Sequence, residues 1–347
     1  MQYKLLGKTG LRVSDICLGT MTFGEEWGWG AGHDESLAQF HAYLDAGGNF
    51  IDTANRYTEG TSEKMLGEFI KNSGQRNNLV VATKYSLITD RSAGINQSGN
   101  HKKNLLQSVE DSLRRLQTDR IDILYLHAWD FTTYMEEIMR AMDDLVRQGK
   151  ILYTGICNTP AWIVSRANAI AEFKDWSPFV ALQIEYSLMQ RSVERELIPM
   201  ADALDMAILA WAPIAGGALT GKYLEKNDQP KRLKENSKRL SPHNMEIASV
   251  VVQIAEQKNC SPAQVAIAWV MQQNARVIPI VGARNTQQLA DNLHSSEVHL
   301  NADEMQQLDA ISKVDMEYPY AFLQGEGVQD ILFASKGGML QKDRKSF

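Results

Sequence analysis

The feature that most constrains this chain is a repeating alternation of short apolar runs with helical stretches. Eight strand-like runs occur, at 16–20, 50–53, 79–83, 121–126, 151–156, 179–184, 207–211 and 277–281. Helical periodicity fills most of the intervals, over 35–46, 63–71, 103–116, 135–147 and 162–173. The last interval is longer, with a loop at 212–242 followed by helical segments at 243–258 and 262–273. Such alternation predicts parallel βαβ units. An open doubly wound sheet and a closed (β/α)8 TIM barrel both satisfy it. Eight units favour the barrel, whose usual size of about 250 residues leaves a surplus in a chain of 347. The surplus is assigned to an N-terminal hairpin in 1–14, long βα loops, a helix around 302–312 and a C-terminal loop and tail over 315–347. The polar stretch 336–347 is expected to be poorly ordered or used in contacts. No Pro/Gly/Ser-rich linker divides the chain, so 1–347 is expected to be one domain.

Charge narrows the partners. Lys and Arg total 36 against 42 Asp and Glu, a formal net charge of −6. A general binder of nucleic acid or of a membrane surface would carry a basic excess. Cys17, Cys157 and Cys260 are widely spaced and odd in number, which suits a reducing compartment rather than a disulfide framework. No secretory signal is visible, and no apolar run approaches the ~18 residues that span a bilayer. The expectation is a cytoplasmic protein, a monomer or homo-oligomer, acting on a small molecule.

A barrel of this kind carries its active site at the carboxyl ends of the strands, so chemically able residues should recur there. Asp52 closes the second run, Lys84 follows the third and His127 follows the fourth, while Tyr57 lies in the loop just after Asp52. Each alone has a plain structural reading: a turn cap, a snorkelling lysine, a satisfied core histidine, a packed tyrosine. On one rim they make a chain. A phenol with a reference pKa near 10 is a poor acid or base at neutral pH, and a neighbouring ammonium lowers that value. A carboxylate beside the lysine would keep it charged and oriented. Of Asp52, Lys84 and Tyr57, only Tyr57 would then touch substrate, and His127 would donate to its carbonyl oxygen. Such a site protonates an alkoxide as hydride reaches carbon, and reverses this for alcohol oxidation. The hydride must come from a cofactor.

These residues resemble the aldo-keto reductase superfamily, barrels that reduce carbonyls with NAD(P)H. The resemblance runs from Leu18-Gly19-Thr20-Met21 to Gln288-Leu289-Ala290-Asp291-Asn292. Its most specific pieces are Asp52-Thr53-Ala54 with Tyr57, Ser62-Glu63-Lys64-Met65-Leu66-Gly67, Thr83-Lys84 and Leu126-His127. It implies Asp52, Tyr57, Lys84 and His127 as the catalytic set, in that order. It also implies a cofactor site that includes Gly19, Thr20, Met21, Asp52 and Asn292. Asn158 and Gln183 match residues that hold the nicotinamide carboxamide, and Trp211 matches the aromatic that stacks on the ring. Ala212, Pro213, Ile214, Ala215, Gly216, Gly217 and Lys222 look like the segment that crosses the pyrophosphate. The stretch from Gly282 through Arg284 to Gln288 resembles the adenosine-phosphate site. Arg284 is the candidate for the 2′-phosphate, which favours NADPH/NADP+ over NADH, and Arg232 is a second cation. Cys157 stands where many members carry Ser, and Gln288 where many carry a basic residue.

An aromatic pocket of Phe23, Trp27, Trp29 and Trp129 favours aryl or extended aldehydes. The loop 92–103, with Gly99-Asn100-His101-Lys102, resembles the branch that contains aryl-alcohol dehydrogenases. Tyr318, Tyr320 and Phe322 would form a third wall, since members of the family close the pocket with their C-terminal loop.

Four other readings compete. The run from Gly216 to Gly221-Lys222 matches a phosphate-binding P-loop until Tyr223 replaces the required Ser or Thr. Gly28, Gly30 and Gly32 have the wrong spacing for a dinucleotide-binding GxGxxG. No His/Cys cluster or HExxH suggests zinc, so no metal is expected. An NADPH-binding regulatory or sensing subunit with little turnover is the fourth, but such proteins often lack the active-site His that this chain keeps.

Overall fold

The structure is a computed structural model that describes residues 1–224 and 232–339. It opens with an antiparallel hairpin, β1 (Tyr3–Leu5) and β2 (Arg12–Ser14). Eight strands then form the core: β3 (Cys17–Gly19), β4 (Phe50–Asp52), β5 (Val80–Tyr85), β6 (Ile121–Leu126), β7 (Ile151–Cys157), β8 (Phe179–Glu185), β9 (Ala207–Trp211) and β10 (Val277–Val281). They pair in parallel and close on themselves in the order β10-β3-β4-β5-β6-β7-β8-β9. The protein is a (β/α)8 TIM barrel with an added N-terminal hairpin.

Helices follow the strands in turn: α1 (His33–Asp45), α2 (Thr61–Ser73), α3 (Lys102–Arg115), α4 (Met135–Arg147), α5 (Ala161–Lys174), α6 (Leu197–Ala203), α7 (Pro242–Lys258), α8 (Pro262–Gln273) and α9 (Thr286–Leu293). Beyond the barrel come α10 (Ala302–Ile311), α11 (Tyr320–Gln324) and α12 (Glu326–Leu332). Local sequence explains several starts. Ser241 and Ser261 cap α7 and α8, accepting from Asn244 N and Gln264 N, and each is followed by a proline whose missing N–H costs nothing in the first turn. Asn301 and Glu304 form a reciprocal capping box on α10. Among the described residues, no helix is long and apolar enough to cross a membrane.

Side chains alternate along each strand. Phe50, Ala82, Tyr125 and Ala181 pack inside the barrel, while Ile51, Val81, Leu124 and Leu182 pack outward against the helices. The hairpin seals the amino-terminal end. Leu6 and Val13 join the interior cluster, and Lys4 Nζ donates to Val277 O at 2.9 Å. Gly7 turns there at φ +53, and an added Cβ would lie 2.6–2.8 Å from backbone atoms of Val180, Asp205 and Ala207. Only glycine fits that approach.

Several boundaries differ from the sequence reading. β5 runs on through Lys84 and Tyr85, because the ladder continues as Lys84↔Tyr125 and Tyr85↔Leu126. A lysine ending an apolar run reads as the end of the strand, whereas this one has an ion partner inside the barrel. α6 and α9 were not expected as helices. Pro199 sits within α6, and α9 is mostly polar with weak periodicity. The expected C-terminal loop also contains α11 and α12, while residues 340–347 lie outside the described part.

Candidate active site

Inward parity carries Gly19, Asp52, Lys84, Cys157, Gln183 and Trp211 toward the carboxyl end of the barrel. Gly19 pairs with Asp52 across β3 and β4, and Cys157 with Gln183 across β7 and β8. Lys84 is fully buried, and all three of its ammonium donors are used. Nζ donates to Asp52 Oδ2 at 2.6 Å, to Thr53 O at 2.9 Å and to the Tyr57 hydroxyl at 3.0 Å. Asp52 Oδ1 accepts from Gln183 Nε2 at 2.9 Å. The Tyr57 O–H donates to no protein group among the described residues, so its proton is uncommitted.

Tyr57 projects from a tight turn. Thr58 and Glu59 both adopt left-handed backbone, at φ +47 and +51, and Gly60 follows at +91. Non-glycine residues in that region carry strain. Neighbours hold them there. Thr58 Oγ1 donates to Phe23 O and accepts from Ser62 N, while Glu59 bonds Arg56 and Trp27 Nε1.

Burial pushes the Tyr57 phenol up to about 12; Lys84 pulls it down but does not win, and Asp52 adds to the rise. The sequence reading expected the ammonium to lower this value. Its sign for the lysine holds, and desolvation of the phenolate outweighs it. For Lys84, burial opposes the charge, yet Asp52 at contact distance keeps the ammonium form favoured beyond its usual range. His127 is driven down to about 3, first by burial and then by Lys84, so its ring is neutral. That ring stands edge-on to Tyr57 with centroids 6.0 Å apart. Its backbone N–H donates to Tyr85 O at 3.0 Å. The loop beyond is held by Asn100, which donates to Ala128 O and accepts from Asp130 N.

Asn158 has a left-handed backbone at φ +45. Its Nδ2 donates to His127 O at 2.9 Å, and its Oδ1 accepts from Trp211 Nε1 at 3.3 Å. It thereby ties the histidine loop to the Trp211 ring. After β9, positive φ recurs at Ala212, Ala215, Gly216 and Gly217. Pro213 and Ile214 lie within this turn, and Gly217 N donates back to Ile214 O. An added Cβ at Gly217 would lie 2.9 Å from Lys222 Nζ, and one at Gly216 would lie 3.0 Å from Arg239 Nη1. Arg232 stacks over Trp29 at 4.0 Å. Burial, then Arg239 and Arg284, push its pKa down, so three guanidiniums converge here. Gln288 Oε1 accepts from Arg284 N at 3.2 Å. Gly282 backs onto Gly19, since a Cβ there would lie 3.1 Å from Gly19 O.

Other candidates are placed differently. Thr20 is fully buried, its hydroxyl bonded to Asp52 O and Ser62 Oγ, so it pins two strand ends together. Met21 is half-buried and Asn292 is buried on α9. Trp27 meets Tyr57 edge-on with centroids 6.4 Å apart, and Trp29 packs behind it, 5.7 Å from the Trp27 ring. Phe23 is not in the pocket. It is completely buried against Phe69, because the turn after β3 folds its ring under α2. Trp129 is half-buried and packs on the exposed Phe131. The tail aromatics do not form a wall. Tyr318 and Phe322 are 84% and 58% exposed, and the Tyr320 hydroxyl donates to Glu196 Oε1 at 3.5 Å.

A model of the Aldo/keto reductase family matches residues 15–313 of the chain. The chain belongs to that family. Among curated relatives, an aryl-alcohol dehydrogenase [NADP(+)] of Phanerodontia chrysosporium is 38% identical over 340 residues, covering 92% of this chain and 87% of the relative. The aldo-keto reductase ausK of Aspergillus calidoustus is 36% identical over 332 residues, with 92% and 84% covered. A norsolorinic acid reductase of Aspergillus flavus is 35% identical over 326 residues, with 92% and 83% covered. Membership in the aldo/keto reductases makes the chain an oxidoreductase of the carbonyl-reducing kind and points to a nicotinamide cofactor.

The sequence reading missed how these residues support one another. Asn100 was singled out only as part of a loop motif and Glu63 only as part of the family resemblance, with no task for either. Nothing in the linear order pairs Gln183 with Asp52, 131 positions away.

Proposed function

We propose that this aldo/keto reductase is an NADPH-dependent reductase of aldehydes and ketones, with Tyr57 as general acid and aryl or extended aldehydes as its substrate class. The observation that carries the reading is the Lys84 ammonium, bonded at once to Asp52 at 2.6 Å and to the Tyr57 hydroxyl at 3.0 Å.

The rim residues fit a nicotinamide dinucleotide. Glycines 216 and 217 leave room where a Cβ would crowd Arg239 and Lys222. Cations suited to phosphate gather beside them, with Arg232 near Arg284. Trp211, held by Asn158, offers an aromatic face. Glu35 already accepts from Thr286 N and Oγ1 at the start of α9, so the 2′-phosphate assignment rests on Arg284 and not on that helix end. The name of the Phanerodontia relative, with its NADP(+) and aryl-alcohol, supports the same cofactor and substrate class. When bound, the cofactor supplies the hydride that no side chain can.

The chain's own residues handle the proton. With a pKa of about 12, Tyr57 is protonated at neutral pH and delivers its uncommitted proton to the alkoxide oxygen. Lys84 stabilises the phenolate left behind, and Asp52 keeps Lys84 charged. Neutral His127 offers one ring N–H to the carbonyl oxygen. Trp27, backed by Trp29, presents aromatic surface beside Tyr57.

Loss of nicotinamide absorbance, followed over a panel of aryl and small polar carbonyls with NADPH and NADH, tests the reading. Tyr57→Phe should lower turnover by on the order of 100- to 10,000-fold while NADPH still quenches tryptophan fluorescence. Arg284→Ala should raise the KM for NADPH far more than that for NADH, and equal effects would remove the 2′-phosphate assignment. A protein that binds NADPH yet reduces nothing in the panel would instead be a sensing subunit.

A further inference from the structure

We propose that Gln183 is a positioning residue of the proton-transfer chain, a brace across the barrel mouth that fixes the Asp52 carboxylate so that Lys84 stays bonded to the Tyr57 hydroxyl. The inference rests on the reading of Tyr57 as the acid and goes beyond a contact between Gln183 and the carboxamide.

Topology makes the brace unusual. In the closed order of strands, β8 lies four places from β4, directly opposite it in an eight-stranded barrel. The Gln183–Asp52 hydrogen bond therefore spans the mouth, and both side chains are buried, at 3% and 1% exposure. A carboxylate can only accept, so the Gln183 amide must turn Nε2 toward Asp52. That choice fixes its Oε1 in the opposite sense, available for a cofactor N–H. Asp52 Oδ1 is thereby held toward Gln183, and Oδ2 is the oxygen turned to Lys84. Without the brace, Asp52 is free to rotate and take the ammonium with both oxygens. Lys84 Nζ has three donors, one committed to Thr53 O, so a second bond to Asp52 would come from the one that reaches Tyr57.

The charged and titratable groups that face the Tyr57 hydroxyl come from five elements: Asp52 on β4, Lys84 on β5, His127 after β6, Cys157 on β7 and Arg232 in the loop after β9. Gln183 does not titrate, and it bonds the carboxylate of this ring directly. The brace sets which way that charge faces.

Gln183→Met removes the donor at nearly constant volume. The expected result is a kcat lower by about 10- to 100-fold, the scale of a small misplacement of a reacting group, with a smaller change in KM for NADPH. Gln183→Glu can hold a proton between two carboxylates and should retain more kcat than Gln183→Met. A second readout needs neither cofactor nor turnover. In urea denaturation of the cofactor-free protein, Gln183→Met and Asp52→Asn should be non-additive, because they share one bond. Additive effects, together with a raised KM for NADPH and unchanged kcat, would overturn the brace and leave Gln183 as a carboxamide ligand only. If Gln183→Met does not fold, the same cycle is run with Gln183→Leu, which also lacks the donor. Retained turnover in Tyr57→Phe would overturn the acid assignment, while the cofactor-free cycle would still report on the brace.

Discussion

Two neighbouring residues of β5 reach two buried ion pairs that do different work. Lys84 points into the barrel and pairs with Asp52 at 2.6 Å. Thr83 points outward and donates to Glu63 Oε1 at 2.5 Å, while Arg115 Nε takes Glu63 Oε2 at 2.6 Å. Glu63 is fully buried, as Lys84 is. The outer pair is closed: both carboxylate oxygens are used, and Arg115 turns its remaining reach to Ser112. It ties α2 and α3 to the barrel wall. The inner pair is open, because the lysine's third bond leads to a hydroxyl whose own proton has no protein acceptor among the described residues. Burial alone therefore does not mark a functional charge. An ion pair becomes part of a reaction when one of its donors ends on a group that still has a proton to give.

Variants of the two pairs would break or sharpen that contrast. The largest effect is expected from Lys84→Met, which should cut carbonyl reduction by on the order of 100- to 10,000-fold. It should also cost about 3–5 kcal/mol, because Asp52 is left buried without its partner. Adding Asp52→Asn should recover most of the stability and none of the turnover, measured by urea denaturation and by NADPH consumption. Recovery of both would place the inner pair with the outer one, as scaffold. Glu63→Gln should cost about 3 kcal/mol while kcat, measured well below the unfolding transition, stays near that of the unaltered chain. A loss of turnover as deep as that of Lys84→Met would mean that the outer pair controls the inner through Thr83, and the contrast would fail.

The smallest effect concerns the neutral histidine that the inner pair helps to make. His127 has a folded pKa depressed to about 3 from an ordinary 6.5. Its contribution is thus intact above 6.5 and is lost as pH falls toward 3, since the unfolded chain takes up the proton first. The loss by pH 5 should be about 1 kcal/mol after screening at a partly exposed ring. His127→Gln should flatten the slope of stability against pH between 7 and 5. Lys84→Met/Asp52→Asn should flatten it in part, because Lys84 is the second cause of the shift. An unchanged slope in His127→Gln would assign the acid sensitivity to other groups.

Much of this site is legible in the sequence, for a physical reason. Strand periodicity is local, so an apolar run places its end residue on the rim, and Asp52, Lys84 and His127 could be read there together. Aromatic residues gave a weaker signal. Trp27 does meet Tyr57, with Trp29 behind it, but Phe23, from the same loop, turns into the core beneath α2. Composition does not say which way a loop ring faces. The tail aromatics failed for the same reason, and short polar helices such as α9 have too few apolar positions to be seen.

By itself, the sequence determined the eight barrel strands with most of the helices between them, the rim positions of the catalytic candidates and the family. Those follow from patterns within about ten residues of one another or from motifs read in order. Only the tertiary structure decided that Gln183 braces Asp52 from the opposite wall, that Asn158 joins His127 to Trp211, and that burial outweighs the lysine in setting the Tyr57 proton. Each depends on closure of the barrel, which brings together groups far apart in the chain and removes the water that would otherwise screen them.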